Sequence, residues 1–153
     1  MRSDPTYRQA VAHDHALVVA MLAELVDELG TTDNPAQLKI QLHEDIRAAL
    51  ASPRVRIFLA EVDGVPIGLG RADVLINDPI FRLRGDHRCG YIDQMFVQKA
   101  FRQRGIGAEL MRRCEAWFRE QGIGHSLLHA APRALEFYAR SGYVQNREML
   151  KRL

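Results

Sequence analysis

The 153-residue sequence predicts one mixed α/β (α+β) domain over residues 1–153, a sheet flanked by helices. Three observations lead there. Apolar residues recur at three- and four-residue steps as far as Leu50, alternate in strand fashion from Arg54, and return to helical spacing after Gly105. Asp63-Gly64 lies between two apolar runs, a strong hairpin signal. No repeat, low-complexity tract or Pro/Gly/Ser-rich linker divides a chain whose length suits a single core.

Taken in order, Tyr7 to Val11 reads as a short strand. His13-Asp14 opens a helix with Leu17, Met21, Leu22, Leu25 and Leu29 on one stripe, and Gly30 suits its C-cap. Asn34-Pro35 starts a second helix, Pro standing at the first helical position, with Leu38, Leu42, Ile46 and Leu50 facing inward. Val55, Ile57, Leu59 and then Val65, Ile67, Leu69 form the hairpin arms, the second continuing through Asp73-Val74-Leu75-Ile76. Residues 78–88 read as a polar loop, and Tyr91 to Val97 as the next strand. A basic, glycine-containing loop leads into a helix bearing Ile106, Leu110, Cys114 and Trp117/Phe118, which Gly122 stops. Ser126 to His129 is another strand, Pro132 starts a shorter helix ending before Gly142, and Tyr143 to Leu150 is expected as a last strand.

Composition excludes several classes. Apolar residues make up 47% and charged residues 26%, the balance of an ordinary globular chain. No apolar run reaches the roughly 18–20 residues of a membrane span, and the first residues lack a basic-then-apolar signal, so a cytoplasmic protein without membrane association is expected. Cys89 and Cys114 have no metal-site spacing and read as packed free thiols. His13-Asp14-His15 lacks a third ligand, and Asp14 is more simply a first-turn or capping carboxylate; no metal is expected. The net charge of +2 is unevenly spread: residues 1–100 hold 11 Lys/Arg against 14 Asp/Glu, residues 101–153 hold 10 against 5. The basic end suits an anion. Arg102, Arg104, Arg112, Arg113 and Arg119 raise nucleic acid as an alternative, but Glu109, Glu115 and Glu120 interrupt that face, and no nucleic-acid partner is expected.

The segment Phe96-Val97-Gln98-Lys99-Ala100-Phe101-Arg102-Gln103-Arg104-Gly105-Ile106-Gly107-Ala108 carries the chemistry. It is a strand, a basic loop and a helix start. The first amides of a helix have no internal partner, the dipole adds positive charge, and glycines let a phosphate approach the backbone. A third glycine is missing at Leu110 for the dinucleotide fingerprint, and Gly107 is followed by Ala-Glu rather than the Lys-Ser/Thr of a Walker loop. Spacing alone leaves open a glycine-rich helix start with no ligand.

Arg102-x-x-Gly105-x-Gly107 resembles the cofactor motif of the GNAT (GCN5-related N-acetyltransferase) superfamily. Ile92 to Val97 is similar to that family's central strand, and Ala134 to Tyr143 to its common ending. Arg8-x-Ala10-x-x-x-Asp14 is similar to its opening, and Leu59 to Gly68 to its first long hairpin. The resemblance covers nearly the whole chain, in order. It departs at Ala131, where the family often has Asn, and at Gly142-Tyr143, where Gly-Phe is usual.

The resemblance implies a mixed, mostly antiparallel sheet, splayed between its two central parallel strands and flanked by about four helices. It implies acetyl-coenzyme A as cosubstrate, with the pyrophosphate on the amides of Arg102, Gln103, Arg104, Gly105, Ile106, Gly107 and Ala108. Met95, Phe96 and Val97 of the central strand would line the pantetheine, an amide near Met95 polarising the thioester carbonyl. Tyr138 matches the family's tyrosine that protonates the departing thiolate or hydrogen-bonds its sulfur. Asp93 is the candidate base, through water, since some members carry a carboxylate there; period-two alternation puts Asp93, Met95 and Val97 on one face. The implied reaction is acetyl transfer to a primary amine of a small molecule. A protein or peptide amine as acceptor, and a sensor that binds acyl-coenzyme A without turnover, remain alternatives. Asp27, Glu28, Asp33, Glu44 and Asp45 on the first two helices suggest a cationic acceptor. His129, ending a strand beside the expected cleft, reads as a packed or solvated residue before a proton carrier. A homodimer is a further expectation, as family members are often dimers.

Overall fold

The structure is a computed structural model describing residues 3–30, 32–76, 87–146 and 151–152. Strand β1 (Thr6–Gln9) is followed by helices α1 (His15–Leu29) and α2 (Pro35–Ala51), strands β2 (Val55–Val62), β3 (Val65–Ile76) and β4 (Arg88–Val97), helix α3 (Ile106–Glu120), strand β5 (Ser126–Leu128) and helix α4 (Leu135–Arg140). The strands form one sheet in the order β1-β2-β3-β4-β5, antiparallel throughout except for the parallel pair β4–β5. The expected mixed, mostly antiparallel sheet with four flanking helices is therefore present.

Strand β1 ends earlier than the expected Val11. The Val11 amide donates to Asp14 Oδ2 at 2.8 Å, and a 3₁₀ turn over Ala12–Asp14 carries the chain into α1. Asp14 is thus a capping carboxylate, also gripped by both terminal nitrogens of Arg8 at 2.7 and 2.8 Å. Gly30 closes α1 at φ 57°, its amide donating to Val26 O. Asn34 caps α2, its Oδ1 accepting from the Gln37 amide at 3.0 Å. Asp63 and Gly64 take φ 52° and 75°, the double positive φ a tight hairpin turn requires.

Two apolar layers sandwich the sheet. Val18, Leu22 and Ile46 of the first two helices pack on Ile57, Leu59, Leu69 and Phe96. Leu110, Met111, Cys114, Trp117 and Phe118 of α3 cover Ala60, Ala72 and Ile92 on the other face. Side chains this enclosed contribute about 1.5–3 kcal/mol each relative to exposure. Both cysteines are buried and neither is in a disulfide, and burial pushes the Cys114 thiol up to about 12, an unreactive packed group.

Of the expected loop at 78–88, residues 78–86 lie outside the described residues, and Arg88 already belongs to β4. The expected last strand is not formed over its described part: residues 143–146 have no regular structure, and 147–150 lie outside the described residues. There the chain is held by a turn and a side chain instead. Gly142 turns at φ 89°, the Tyr143 amide donates to Tyr138 O at 3.1 Å, and the Tyr143 hydroxyl meets Ser126 Oγ at 2.6 Å.

Gly90 is where β4 and β5 first pair, its amide donating to His125 O at 3.0 Å. The Phe118 ring packs against it, so an added Cβ would meet ring carbons at 2.5–2.7 Å. Gly90→Ala is expected to destabilise the protein by about 2 kcal/mol through overpacking. Urea unfolding is expected to show a lowered midpoint at unchanged slope, and Phe118→Leu in the same chain is expected to restore part of it.

Candidate active site

Strand β4 carries the site, and a bulge within it decides what faces where. Arg71 of β3 pairs with Gln94 and Ala72 with Ile92, which leaves Asp93 as the extra residue. The Gly90 amide points toward β5. Without the bulge, every even-numbered amide of β4 would do the same. Beyond it the Gln98 amide instead bonds Ile67 O on the β3 side, at 2.8 Å. By alternation, the amides of Met95 and Val97 point away from β3. Strand β5 pairs with β4 only at Gly90, Tyr91 and Ile92. The Met95 and Val97 amides therefore face the edge that β5 has left.

The same bulge corrects one expectation. Asp93, Met95 and Val97 do not share a face. Met95 and Val97 pack toward Ile106 and Leu110 of α3. Asp93 faces Arg71, which reaches Asp45 of α2 on the opposite side of the sheet. The inserted residue breaks the period of two. Phe96 packs with the α1–α2 layer.

Beside Val97 lies the start of α3, where a Cβ on Gly107 would stand 3.9 Å from a Val97 methyl. Its first intrahelical bond is Glu109 N to Gly105 O at 3.0 Å, so the amides of Ile106, Gly107 and Ala108 precede the ladder, and no side chain caps them. Gln103 and Gly105 bend the loop at φ 61° and 75°. A Cβ on Gly107 would lie 3.3 Å from the Phe137 ring of α4, so glycine keeps this approach narrow but open. The two arginines of the loop differ. Arg102 donates through Nε to Val97 O at 2.7 Å and through Nη2 to both oxygens of Glu28 at 2.6 and 2.7 Å. Its side chain ties the loop to α1. Arg104 makes one long contact, to Ala100 O at 3.3 Å, and lies over the Phe101 ring.

Asp93 belongs to a cluster around Arg71, a charged residue only 7% exposed. Arg71 makes a two-point bond to Asp73 at 2.8 and 2.9 Å, donates Nη1 to Asp45 at 2.6 Å, and stands 3.4 Å from Asp93 Oδ2. Burial pushes the Asp93 carboxyl above its ordinary value; Arg71 pulls it down, and the Asp73 and Asp45 charges push it up again. Beside it the Gln94 side-chain oxygen is buried without a donor among the described residues.

Tyr138 lies half-buried on α4, edge-on to Phe137 and Tyr143 with centroids 5.1 and 6.1 Å apart. Burial raises its pKa, so the hydroxyl holds its proton. Tyr138 also lines a cleft of about 880 Å³ between β5 and α4, with Tyr91 and His129 among its walls. The Tyr91 hydroxyl meets His129 Nδ1 at 2.6 Å.

Sequence reasoning passed over Arg71, Asp73 and Arg133. The first two were visible as charges two residues apart inside an otherwise apolar strand, a pattern that turns a charged pair inward. Arg133, starting the α4 region, shares Glu28 with Arg102 at 3.2 Å. The acidic field expected on α1 and α2 is also reduced: Asp27 pairs with Lys39, Glu28 with Arg102, and Asp45 with Arg71. Among the described residues no group of His, Cys, Asp or Glu is arranged to hold a metal ion, and no helix is long and apolar enough to cross a membrane.

The family model described as Acetyltransferase (GNAT) family matches residues 19–143. The tRNA(Met) cytidine acetyltransferase TmcA of Aeropyrum pernix is 26% identical over 117 residues, which are 65% of this chain and 16% of that protein. Probable glucosamine 6-phosphate N-acetyltransferase 2 of Oryza sativa subsp. japonica is 32% identical over 63 residues, 41% of this chain and 38% of that one. The chain thus spans less than half the length of either relative. Among solved structures, a GCN5-related N-acetyltransferase from Ralstonia eutropha JMP134 superposes with a TM-score of 0.88 at 28% identity, over 98% of this chain and 99% of the other. Two more distant structures share the fold. A predicted acetyltransferase with acetyl-CoA from Clostridium acetobutylicum gives a TM-score of 0.88 at 21% identity, covering 98% and 96% of the two chains. Aminoglycoside N-acetyltransferase AAC(6')-Iy in complex with CoA gives 0.77 at 19%, covering 99% and 95%.

Proposed function

This chain belongs to the acetyltransferase (GNAT) family, and on that premise we propose that it transfers an acetyl group from acetyl-coenzyme A to a primary amine of a small molecule, both substrates being bound together. The observation that carries the reading is the open edge of β4. The Met95 and Val97 amides point to the side of β4 on which β5 pairs only as far as Ile92, and the uncapped first turn of α3 stands beside Val97. Residues Arg102 to Ala108 hold the diphosphate through backbone amides, and the Gly107 backbone allows close approach. Arg104 supplies positive charge there, while Arg102 fixes the loop. Met95, Phe96 and Val97 line the pantetheine, which adds along β4 as another strand would.

Acetyl-coenzyme A supplies the activated thioester; the chain's own groups move the protons. Asp93 takes the proton from the incoming ammonium through water, and its burial brings its basicity closer to neutral pH than the ordinary value of about 3.9 allows. The Met95 amide donates to the oxygen on which negative charge builds. Tyr138 donates its proton to the departing sulfur, the proper role for a buried, protonated phenol. A small-molecule acceptor is supported by the aminoglycoside N-acetyltransferase that shares the fold.

Titration calorimetry with acetyl-coenzyme A, followed by release of free thiol across an amine panel, tests the proposal. Binding at micromolar to millimolar concentration with amine-dependent thiol release is expected. Uptake without release by any amine would identify a sensor, and no uptake at millimolar thioester would overturn the reading altogether.

A further inference from the structure

We propose that Arg71 and Asp45 are positioning residues for Asp93, the division of one buried guanidinium among three carboxylates setting how readily Asp93 takes up a proton. The inference rests on the reading of Asp93 as the base.

The guanidinium is nearly enclosed and satisfied unequally. Nε and Nη2 go to the two oxygens of Asp73, a neighbour on the same strand. Nη1 goes to Asp45 at 2.6 Å, which leaves Asp93 at 3.4 Å as an ion pair rather than a short hydrogen bond. Asp45 comes from a different layer, α2, and its side chain is 48% exposed. One positive charge faces three carboxylates, and a partly buried group of this kind is relieved when one carboxyl keeps its proton. The member held least tightly is Asp93. It stands at the bulge, where the inserted residue turns it out of the ladder and toward Arg71. Arg71 and Asp73 from β3 and Asp45 from α2 are the charged groups that act on Asp93 among the described residues.

The two variants act in opposite directions. Asp45→Asn removes a negative charge and releases Nη1 to Asp93, so the Asp93 carboxylate is stabilised and titrates lower. Arg71→Met removes the cation, so Asp93 titrates higher. The full chain, labelled with ¹³C at aspartate carboxyls, is titrated by NMR, Asp93→Asn assigning the resonance. Shifts of about one pH unit in opposite senses are expected. A base must be deprotonated to act, so the acid limb of kcat/KM for amine acetylation moves with it. Asp45→Asn then retains about ten-fold more of its maximal kcat/KM at a pH below both midpoints. Should Arg71→Met fail to fold, Asp45→Asn decides alone, its side chain being isosteric and half-exposed. An unmoved Asp93 midpoint in Asp45→Asn overturns the inference. A midpoint that moves while the acid limb stays fixed, or an Asp93→Asn protein that keeps the wild-type single-turnover rate, overturns instead the reading of Asp93 as the base.

Discussion

Tyr138→Phe is expected to lower the single-turnover rate of acetyl transfer about 100-fold while changing acetyl-coenzyme A affinity less than about two-fold. The substitution isolates one atom. The ring of Tyr138 packs edge-on between Phe137 and Tyr143, and phenylalanine preserves those contacts. Folding stability is therefore expected to stay within about 0.5 kcal/mol of wild type. The hydroxyl differs from its neighbours: Tyr143 is bonded to Ser126 and Tyr91 to His129, whereas that of Tyr138 has no hydrogen-bond partner among the described residues. A phenol kept protonated by burial, and without a hydrogen-bond partner among the described residues, is suited to donate to a thiolate. Its pH signature has a definite sign. An acid must be protonated, and burial raises the Tyr138 pKa above its ordinary 10.0, so the wild-type rate falls only at pH values above that. The fall is expected to vanish in the Phe variant. An unchanged single-turnover rate removes Tyr138 from the chemistry.

The second large effect is expected at Gly107. Gly107→Trp should weaken acetyl-coenzyme A binding at least 100-fold by calorimetry, because an indole fills the approach to the Ile106, Gly107 and Ala108 amides. Gly107→Ala separates this from damage to the helix. Its Cβ would lie 3.3 and 3.4 Å from two Phe137 ring carbons, a crowding relieved by a few tenths of an ångström of ring movement. Alanine also gains up to about 1 kcal/mol of intrinsic helix preference over glycine. The Ala variant should fold as well as wild type and bind within about ten-fold. Equal, undiminished affinity in both variants would contradict the assignment of the diphosphate to this turn.

Much of the architecture was legible in the residues. Asn34-Pro35, Asp63-Gly64, Gly30 and Gly122 punctuate the chain through local chemistry: a side-chain cap, a fixed φ, or a positive φ that glycine adopts at no cost. The uncapped helix start was legible for the same reason, since Arg102 to Ala108 are contiguous. The extent of β1 was less so, because it depends on Asp14 reaching back three residues to the Val11 amide.

By itself, then, the sequence determined the order of β1 to β5 and α1 to α4 and the contiguous turn from Arg102 to Ala108, which depend on neighbours a few residues apart, but it also suggested a last strand that residues 143–146 do not form. Only the tertiary structure decided which side of β4 each group faces. The bulge at Asp93 is a mismatch between two strands some twenty residues apart, and no alternation within Ile92 to Val97 encodes it. That one inserted residue turns the Met95 and Val97 amides to the open edge and sends Asp93 to the opposite face. There a buried guanidinium from β3 meets a carboxylate from α2, because both charges lose less by pairing with each other than by standing alone away from water.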